Sequence, residues 1–214
     1  MKLKLYGYWR SSASWRVRWA LELKKIPYDY IPVNILKGEQ RGAEHLARVP
    51  MGTLPVLEIE PHNFLSQSLV ILLWIEENFD DGPFVFGKDR SDRYIILELC
   101  ELINSDTAPL QTPRVQNAHS DEPAKKADFA KHFIELGLRA FEKKIEGSAA
   151  IFSVGNSVTA ADLFLIPQLY NAKRFGFDLA KDYPKLHKIY ESCLKTEACL
   201  RASPEKQIDA MVAP

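Results

Sequence analysis

The hydrophobic pattern of this 214-residue chain changes once, near residue 79, and that change constrains the fold more than any single motif. Residues 1–78 alternate short strand-like and helix-like segments in the order βαβ, an unpatterned stretch, then ββα. Residues 79–92 break the pattern with two glycines and a proline, and only helical periodicity follows. The pattern predicts an α+β chain with a small mixed domain at 1–80, a linker at 81–90 and an all-helical domain at 91–214.

The first domain is predicted to contain four strands and two helices. Leu3 and Leu5 share one face of the first strand, and Val17, Ala20 and Leu21 form the apolar stripe of the first helix. The unpatterned stretch covers residues 36–51. The strands are expected within residues 2–8, 28–34 and 55–60 and around 64–65, and the helices over 14–25 and 67–78.

The second domain is predicted to contain four helices. The third of them begins with a capping box, in which Thr159 is followed three residues later by Asp162. Val158 and Leu163 stand at the positions of a hydrophobic staple, so Asp162 is expected to start a helix and not to act as a catalytic acid. Pro167 marks a kink site inside the same helix. The four helices are expected within residues 92–106, 122–147, 159–175 and 183–195.

Composition excludes several classes of function. Lys and Arg together number 28, as do Asp and Glu, and a zero net charge argues against a protein that binds duplex nucleic acid. Cys100, Cys193 and Cys199 are odd in number and widely spaced, which indicates reduced thiols of the cytosol. The longest apolar run, residues 69–75, is far too short to cross a bilayer. These features predict a soluble, cytoplasmic protein without a membrane segment.

The five histidines show no metal-ligand spacing, and no glycine-rich phosphate loop is present. Neither a metal site nor a nucleotide site is therefore expected.

The segment Arg10–Ser14, "RSSAS", lies where the first strand meets the first helix. A serine there can simply cap the helix. Alternatively, the positive end of the helix stabilises an anion, and a serine hydroxyl donates a further hydrogen bond to a thiolate or an oxyanion. No Ser-His-Asp triad is visible, so a nucleophilic serine is not expected.

Two further segments could complete a pocket. The Leu54-Pro55 bond precedes a strand, and a cis peptide there would turn the Leu54 backbone toward an extended peptide ligand. Gln67 and Ser68 begin the second helix of the domain, either as caps or as a site for a carboxylate. Two helix N-termini and one strand backbone together suit a small peptide with a carboxylate at one end and a thiol at the other.

Four motifs resemble, in order and spacing, those of the zeta-class glutathione transferases, the maleylacetoacetate isomerase family. They are "SSASWRVRWAL", "VPMGTLPVL", "SQSLVILLWIEE" and "VTAADLFLIPQLYNAKRFGFDL", and the match covers essentially the whole chain. The resemblance implies a thioredoxin-like N-terminal domain, an all-helical C-terminal domain, a homodimer and glutathione as cofactor.

The same resemblance implies roles for individual residues. Ser11 donates its hydroxyl to the glutathione sulfur, and the Leu54 backbone pairs with the cysteinyl part. Gln111 faces the substrate cleft, and Arg174 suits a substrate carboxylate. The remaining glutathione-binding residues implied are Ser12, Ala13, Ser14, Trp15 and Arg16 around the sulfur, Gln40 near the glycyl end, and Gln67 with Ser68 at the γ-glutamyl end.

The chain departs from the family pattern at two places. Ala13 stands where the family motif usually has cysteine, which excludes chemistry that needs a protein thiol at this position. Thr107-Ala108 replaces the usual residues of the "DIxPLxN" segment, and we expect this change to alter the substrate cleft.

The function expected from the resemblance is glutathione-dependent isomerisation of maleylacetoacetate to fumarylacetoacetate, a step of aromatic amino-acid catabolism. The thiolate adds to the cis alkene and leaves after rotation, while Arg10 and Arg174 pair with substrate carboxylates. Isomerisation of maleylpyruvate and conjugation of glutathione to other electrophiles remain alternatives within enzymes. Outside enzymes, the alternatives are a catalytically silent binding scaffold and an RNA-binding strip.

Overall fold

The computed structural model describes residues 2–210, which form two compact units. The first unit comprises residues 2–83 and 196–210, and the second comprises residues 84–195. Within the described residues, no helix combines the length and the apolar character needed to cross a membrane.

The described residues contain four strands and ten α-helices, numbered here in chain order. The strands are β1 (Leu3–Gly7), β2 (Tyr28–Pro32), β3 (Val56–Glu60) and β4 (Asn63–Ser66). The helices are α1 (Ser12–Leu23), α2 (Ala43–Arg48), α3 (Ser68–Asn78), α4 (Arg90–Asn104), α5 (Pro113–His119), α6 (Pro123–Lys144), α7 (Ala160–Arg174), α8 (Leu179–Asp182), α9 (Pro184–Leu194) and α10 (Glu197–Ala202). Short 3₁₀ segments lie at Glu39–Arg41, Ala108–Gln111, Ile145–Gly147 and Pro204–Lys206.

The strands of the first unit form one mixed sheet in the order β2-β1-β3-β4. β1 pairs in parallel with β2 and antiparallel with β3, and β4 pairs antiparallel with β3. A parallel pair needs a crossover connection, which α1 supplies. Leu5 and Leu57 are opposite each other in the central pair, and both are fully buried. The predicted βαβ–ββα order is confirmed.

A buried ion pair joins the ends of α1 and α3. Lys24 caps the end of α1, and its Nζ lies 3.1 Å from the Oε2 of Glu76. The same Nζ donates to the carbonyl oxygen of Phe79 at 2.9 Å. Because burying two charges costs free energy unless further hydrogen bonds compensate, this carbonyl is part of what makes the pair stable.

The second unit is built around α7, which is buried on all sides over Ala160–Leu169. The predicted capping box is present, with the N–H of Thr159 donating to the Oδ2 of Asp162 at 2.8 Å. The N–H of Ser153 donates to the other oxygen at 2.9 Å. Burial raises the pKa of Asp162, although these hydrogen bonds favour its ionised form. The prediction that Asp162 starts a helix is confirmed.

Four short helices, α2, α5, α8 and α10, lie in segments where no helix was predicted. They contain six, seven, four and six residues. A helix of one or two turns shows too little of the 3.6-residue period for a pattern to emerge. The predicted helix at 14–25 begins earlier, at Ser12, because the extended N-cap is Ser11. The helix predicted at 92–106 likewise begins earlier, at Arg90.

The second unit begins at residue 84, inside the predicted linker of 81–90. Val85 and Phe86 are buried, and the carbonyl oxygen of Val85 accepts from the N–H of Ala160 at 2.7 Å. These apolar residues therefore belong to the core of the helical unit.

The predicted helical domain extends to residue 214, whereas the second unit ends at residue 195. Residues 196–210 pack on the first unit, where α10 lies against α1. The buried side chain of Arg18 donates through Nε to the carbonyl oxygen of Ala202 at 3.0 Å. The last four residues of the predicted domain lie outside the described residues.

Thr107, expected to alter the substrate cleft, is fully buried, and its hydroxyl donates to the carbonyl oxygen of Leu102 at 2.8 Å. Its side chain lies against Gly137 of α6, where an added Cβ would be 2.0 Å from the Thr107 hydroxyl oxygen. Thr107 thus packs closely on a glycine inside the second unit, and its effect on the substrate cleft remains a prediction.

We expect Gly137→Ala to destabilise the protein by about 1–3 kcal/mol, the usual cost of overpacking a core. Alanine gains roughly 0.5–1 kcal/mol of helix propensity over glycine, which is too little to offset this clash. The measurement is the free energy of unfolding in urea.

Gly147→Ala is the matched control, because nothing lies within 4 Å of a Cβ added there. Equal stability of the two variants would contradict the close packing of Thr107 on Gly137.

Candidate active site

The turn between β1 and α1 holds Ser11 as the N-cap of the helix. Its backbone is extended, with φ −71° and ψ 118°, and its hydroxyl oxygen accepts from the N–H of Ser14 at 3.2 Å. The N–H of Ser11 donates to the carbonyl oxygen of Tyr8 at 2.9 Å. Because the cap uses a lone pair of the hydroxyl oxygen, the hydroxyl proton is left for a ligand. Ser11 can therefore cap the helix and donate to a thiolate at the same time.

The residues on either side of Ser11 differ in how deeply they are buried. Ser12 and Ala13 are half-buried in the first turn of α1, where the positive end of the helix favours an anion. Ser14 and Trp15 are buried and support the turn from within. Arg10 is half-buried, and its guanidinium lies 5.3 Å from the centre of the Trp9 ring. A wall around the sulfur formed by Ser12 to Arg16 remains a prediction, as does the pairing of Arg10 with a substrate carboxylate.

The start of α3 is linked to the start of α1 by one hydrogen bond. The Nη1 of Arg16 donates to the hydroxyl of Ser68 at 3.1 Å, and both residues are buried. Gln67, the N-cap of α3, has a φ of 72° and makes no side-chain cap. A non-glycine residue at positive φ is strained by about 1–3 kcal/mol, and such strain concentrates at ligand sites. The structure thus differs from the simple capping interpretation of this segment.

The Leu54-Pro55 peptide is cis. Leu54 is half-buried against the apolar cluster of Tyr6, Val33, Val49 and Val56, and it precedes β3, so it takes no part in the sheet ladder.

His45 is a neighbour of this segment that sequence reasoning missed. Its ring is buried, and its Nε2 lies 3.0 Å from the carbonyl oxygen of Thr53. Because a carbonyl oxygen can only accept, Nε2 carries the proton and the ring holds the loop before Leu54.

Gln40 lies in the 3₁₀ segment Glu39–Arg41 and packs on Gly52. Its side-chain Oε1 is buried and has no hydrogen-bond partner among residues 2–210. A Cβ at Gly52, which has a φ of 59°, would be 2.9 Å from the Gln40 carbonyl oxygen, so the two loop segments approach closely. An unpaired amide oxygen at this place suits a ligand that donates an N–H.

In the second unit, Gln111 and Arg174 are joined through one residue. Gln111 and Gln168 exchange hydrogen bonds between their side-chain amides, and the amide of Asn171 donates to the Oε1 of Gln111. The Nη1 of Arg174 then donates to the Oδ1 of Asn171 at 3.0 Å. Gln111 and Gln168 are buried, whereas Arg174 is exposed. This chain of amides orients an exposed guanidinium.

Sequence reasoning missed Gln168 and Asn171 as members of this network. The sequence did contain a signal for them: Gln168, Asn171 and Arg174 are spaced three residues apart and so share one side of α7. The predicted site residues accordingly form two groups. One lies in the first unit and includes Ser11–Arg16, Gln40, Leu54, Gln67 and Ser68; the other lies in the second unit and includes Gln111 and Arg174.

Cys100, Cys193 and Cys199 are buried outside the Ser11 turn, and Ala13 occupies the place of the family thiol. No group of three His, Cys, Asp or Glu side chains in residues 2–210 is arranged to hold a metal ion.

Comparisons with known proteins agree with this fold. Residues 10–78 match the model of the glutathione S-transferase N-terminal domain, and residues 109–198 match that of the C-terminal domain. A maleylacetoacetate isomerase of Dictyostelium discoideum is 39% identical over 98% of this chain and 96% of its own length.

Two solved structures are similar over almost the whole chain. The maleylacetoacetate isomerase of Anaeromyxobacter dehalogenans 2CP-1, with GSH bound in its active site, is 41% identical, has a TM-score of 0.88 and covers 98% of each chain. A maleyl pyruvate isomerase, a bacterial zeta-class enzyme, is 30% identical, with a TM-score of 0.90 and coverage of 97% of this chain and 99% of its own. The chain belongs to the zeta-class glutathione transferase and maleylacetoacetate isomerase family.

Proposed function

We propose that this chain is a glutathione-dependent isomerase that converts maleylacetoacetate to fumarylacetoacetate. The observation that carries the proposal is the Ser11 turn, which leaves a hydroxyl proton available at the positive end of α1. The hydrogen bond between Arg16 and Ser68 places the start of α3 beside it. The likeness to maleylacetoacetate isomerases across the whole chain supports this substrate.

The residues of the first unit fit glutathione. Its γ-glutamyl end is assigned to the start of α3, where Gln67 and Ser68 lie, and its cysteinyl part to the Leu54 backbone. Gln40, whose buried Oε1 lacks a partner in the described chain, is assigned to the glycyl end. When bound, glutathione would supply a thiolate that adds to the cis double bond and converts it to a single bond that can rotate, and the double bond re-forms in the trans geometry as the thiolate leaves.

Ser11 and the start of α1 favour the ionised sulfur. A free thiol has a pKa of about 8.5, so only a small fraction is ionised at neutral pH. Helix N-termini and hydrogen-bond donors stabilise the anion and lower this pKa. Arg174 is assigned to a substrate carboxylate, and Arg10 to a second, where their charges also stabilise negative charge that develops during the reaction.

One alternative within the family is favoured by a specific observation. The structural likeness to a maleyl pyruvate isomerase, at a TM-score of 0.90, supports maleylpyruvate as a second candidate substrate. The two substrates share a cis double bond and a carboxylate, and the same side chains would serve both. Conjugation of glutathione to electrophiles uses the same thiolate.

We expect Ser11→Ala to raise the pKa of the bound glutathione thiol and to lower kcat by roughly 10²-fold at neutral pH, the scale seen when one catalytic hydrogen-bond donor is lost. The assay follows maleylacetoacetate and maleylpyruvate, with and without glutathione.

Ser12→Ala is the companion variant, because its hydroxyl lies inside the first turn of α1 and is not the N-cap. If Ser11→Ala keeps its full activity and Ser12→Ala loses activity, the hydroxyl that donates to the sulfur is that of Ser12. If the unmodified protein converts neither substrate, the isomerase proposal fails and conjugation takes its place.

We expect Arg174→Gln to raise KM for the carboxylate substrate roughly 10- to 100-fold, because hydrogen bonds to charged groups contribute about 1.5–3 kcal/mol. The affinity for glutathione, measured by titration, should not change.

Lys173→Gln is the control, since it removes the same charge from the adjacent exposed position of α7. An equal rise of KM in both variants would show a general charge effect and would contradict a specific contact of Arg174.

We also assign the protein to the cytoplasm as a homodimer. The absence of disulfides among the three buried cysteines supports a reducing compartment. Large apolar side chains are exposed in each unit, including Met51 at 62% and Tyr94 at 63%, and a second subunit would cover such surface.

Light scattering of the purified protein should give twice the chain mass of 24.4 kDa. A single-chain mass at all concentrations would contradict the dimer.

A further inference from the structure

The C-terminal segment makes a direct contact with the turn that carries Ser11. The carboxylate of Asp209 accepts a hydrogen bond from the N–H of Trp9, with the Oδ2 atom 2.8 Å from the nitrogen. The hydroxyl of Tyr30 donates to the same oxygen at 3.4 Å. Burial raises the pKa of Tyr30, which keeps this hydroxyl protonated as a donor. A residue 200 positions away thus holds the peptide two residues before the helix cap.

Arg18 holds the carbonyl groups of the same turn. Its Nη2 donates to the carbonyl oxygen of Trp9 at 3.0 Å and its Nη1 to that of Tyr8 at 3.4 Å. Its Nε donates to Ala202 of the C-terminal segment at 3.0 Å. The Tyr8 carbonyl also accepts from the N–H of Ser11, so the guanidinium and the cap residue share one acceptor.

Asp209 acts on the turn through its hydrogen bond to the N–H of Trp9. The second carboxylate oxygen of Asp209, Oδ1, is buried and lacks a hydrogen-bond partner within the described part of the chain. The amide oxygen of an asparagine could make the same hydrogen bond to Trp9, with its NH₂ group in the place of the unpaired Oδ1. Asp209 holds the N–H of Trp9, and Arg18 holds the carbonyl oxygens of Tyr8 and Trp9, so the two side chains bind opposite groups of one turn.

We propose that Asp209 is a positioning residue for Ser11. By fixing the N–H of Trp9 opposite the carbonyl groups held by Arg18, it sets the direction of the Tyr8–Ser11 turn and hence of the Ser11 hydroxyl. The inference rests on the proposed function, because the direction of that hydroxyl matters only if Ser11 donates to a bound sulfur. It adds to that function a role for a segment outside both matched domain models, the second of which ends at residue 198.

The test compares Asp209→Ala with Asp209→Asn, and uses Glu205→Gln as the control. Asp209→Ala removes the acceptor, whereas the amide oxygen of Asp209→Asn can still accept from Trp9. Glu205→Gln removes one charge from an exposed position four residues earlier. The readouts are the pKa of the bound glutathione thiol, measured by the ultraviolet absorbance of the thiolate, and kcat and KM for maleylacetoacetate.

We expect Asp209→Ala to raise the thiol pKa and to lower kcat roughly 10- to 100-fold, the effect of misplacing a reacting group by about 1 Å, with KM for the substrate little changed. Asp209→Asn should keep most of the rate, and Glu205→Gln all of it. An unchanged thiol pKa and kcat in Asp209→Ala, with only a lower unfolding temperature, would overturn the proposal. A loss in Asp209→Asn as large as in Asp209→Ala would also overturn it, because the charge and not the hydrogen bond would then be essential.

Amide hydrogen exchange separates this proposal from the proposed function. In Asp209→Ala the amides of Trp9 and Ser11 should exchange faster, while amides of α7 stay unchanged, and this readout needs no substrate. Unaltered exchange in the turn overturns the positioning role even if the protein is an isomerase.

Should Asp209→Ala not fold, Asp209→Glu replaces it. The longer side chain displaces the acceptor but keeps the charge, so it should lose more activity than Asp209→Asn. The reverse order would overturn the proposal.

Discussion

Two arginine side chains of α1, Arg16 and Arg18, are buried, and a guanidinium has five N–H donors and no acceptor. Such a group is stable away from water only where oxygen atoms surround it. Arg16 uses the hydroxyl of Ser68, and Arg18 uses the carbonyl groups of the Tyr8–Trp9 turn and of Ala202. The first strand, both helix starts and the C-terminal segment are therefore held to one helix. The geometry of the Ser11 turn and of the start of α3 follows from how these two charges are satisfied.

In the second unit, α7 runs from a fully buried start to an exposed, charged end. The first two-thirds of α7 are buried on every side, and Asp162 fixes where the helix begins. Toward its end, Gln168 and Asn171 both donate to the side-chain oxygen of Gln111. The exposed Arg174 in turn donates to Asn171. A rigid, buried helix start thus supports a charged group at the opposite end. Precise orientation of a guanidinium requires such support, because its free side chain has many rotamers.

The sequence allowed much of this to be predicted where the signal was local. Alternation of strands and helices predicted the βαβ–ββα order, and the Thr159–Asp162 spacing predicted the start of α7. Four short motifs of fixed spacing predicted the family, and the matched domain models and relatives confirm it.

Features that depend on distant residues could not be predicted in this way. The fit of Thr107 on Gly137 joins two segments thirty residues apart, and neither residue shows it alone. The contact of Asp209 with Trp9 joins residues separated by 200 positions. Periodicity reports which face of an element is apolar, but it does not report which polar group a buried arginine meets.

The return of residues 196–210 has a consequence for how such a chain can be divided and recombined. Residues 10–78 match a domain model by themselves, which suggests a fragment that could be produced separately. Yet Arg18 would then be buried without the Ala202 carbonyl, and Trp9 would lose its acceptor. A fragment that ends after the first eighty residues would therefore be expected to need residues 196–210 as well, supplied in the same chain or as a separate peptide.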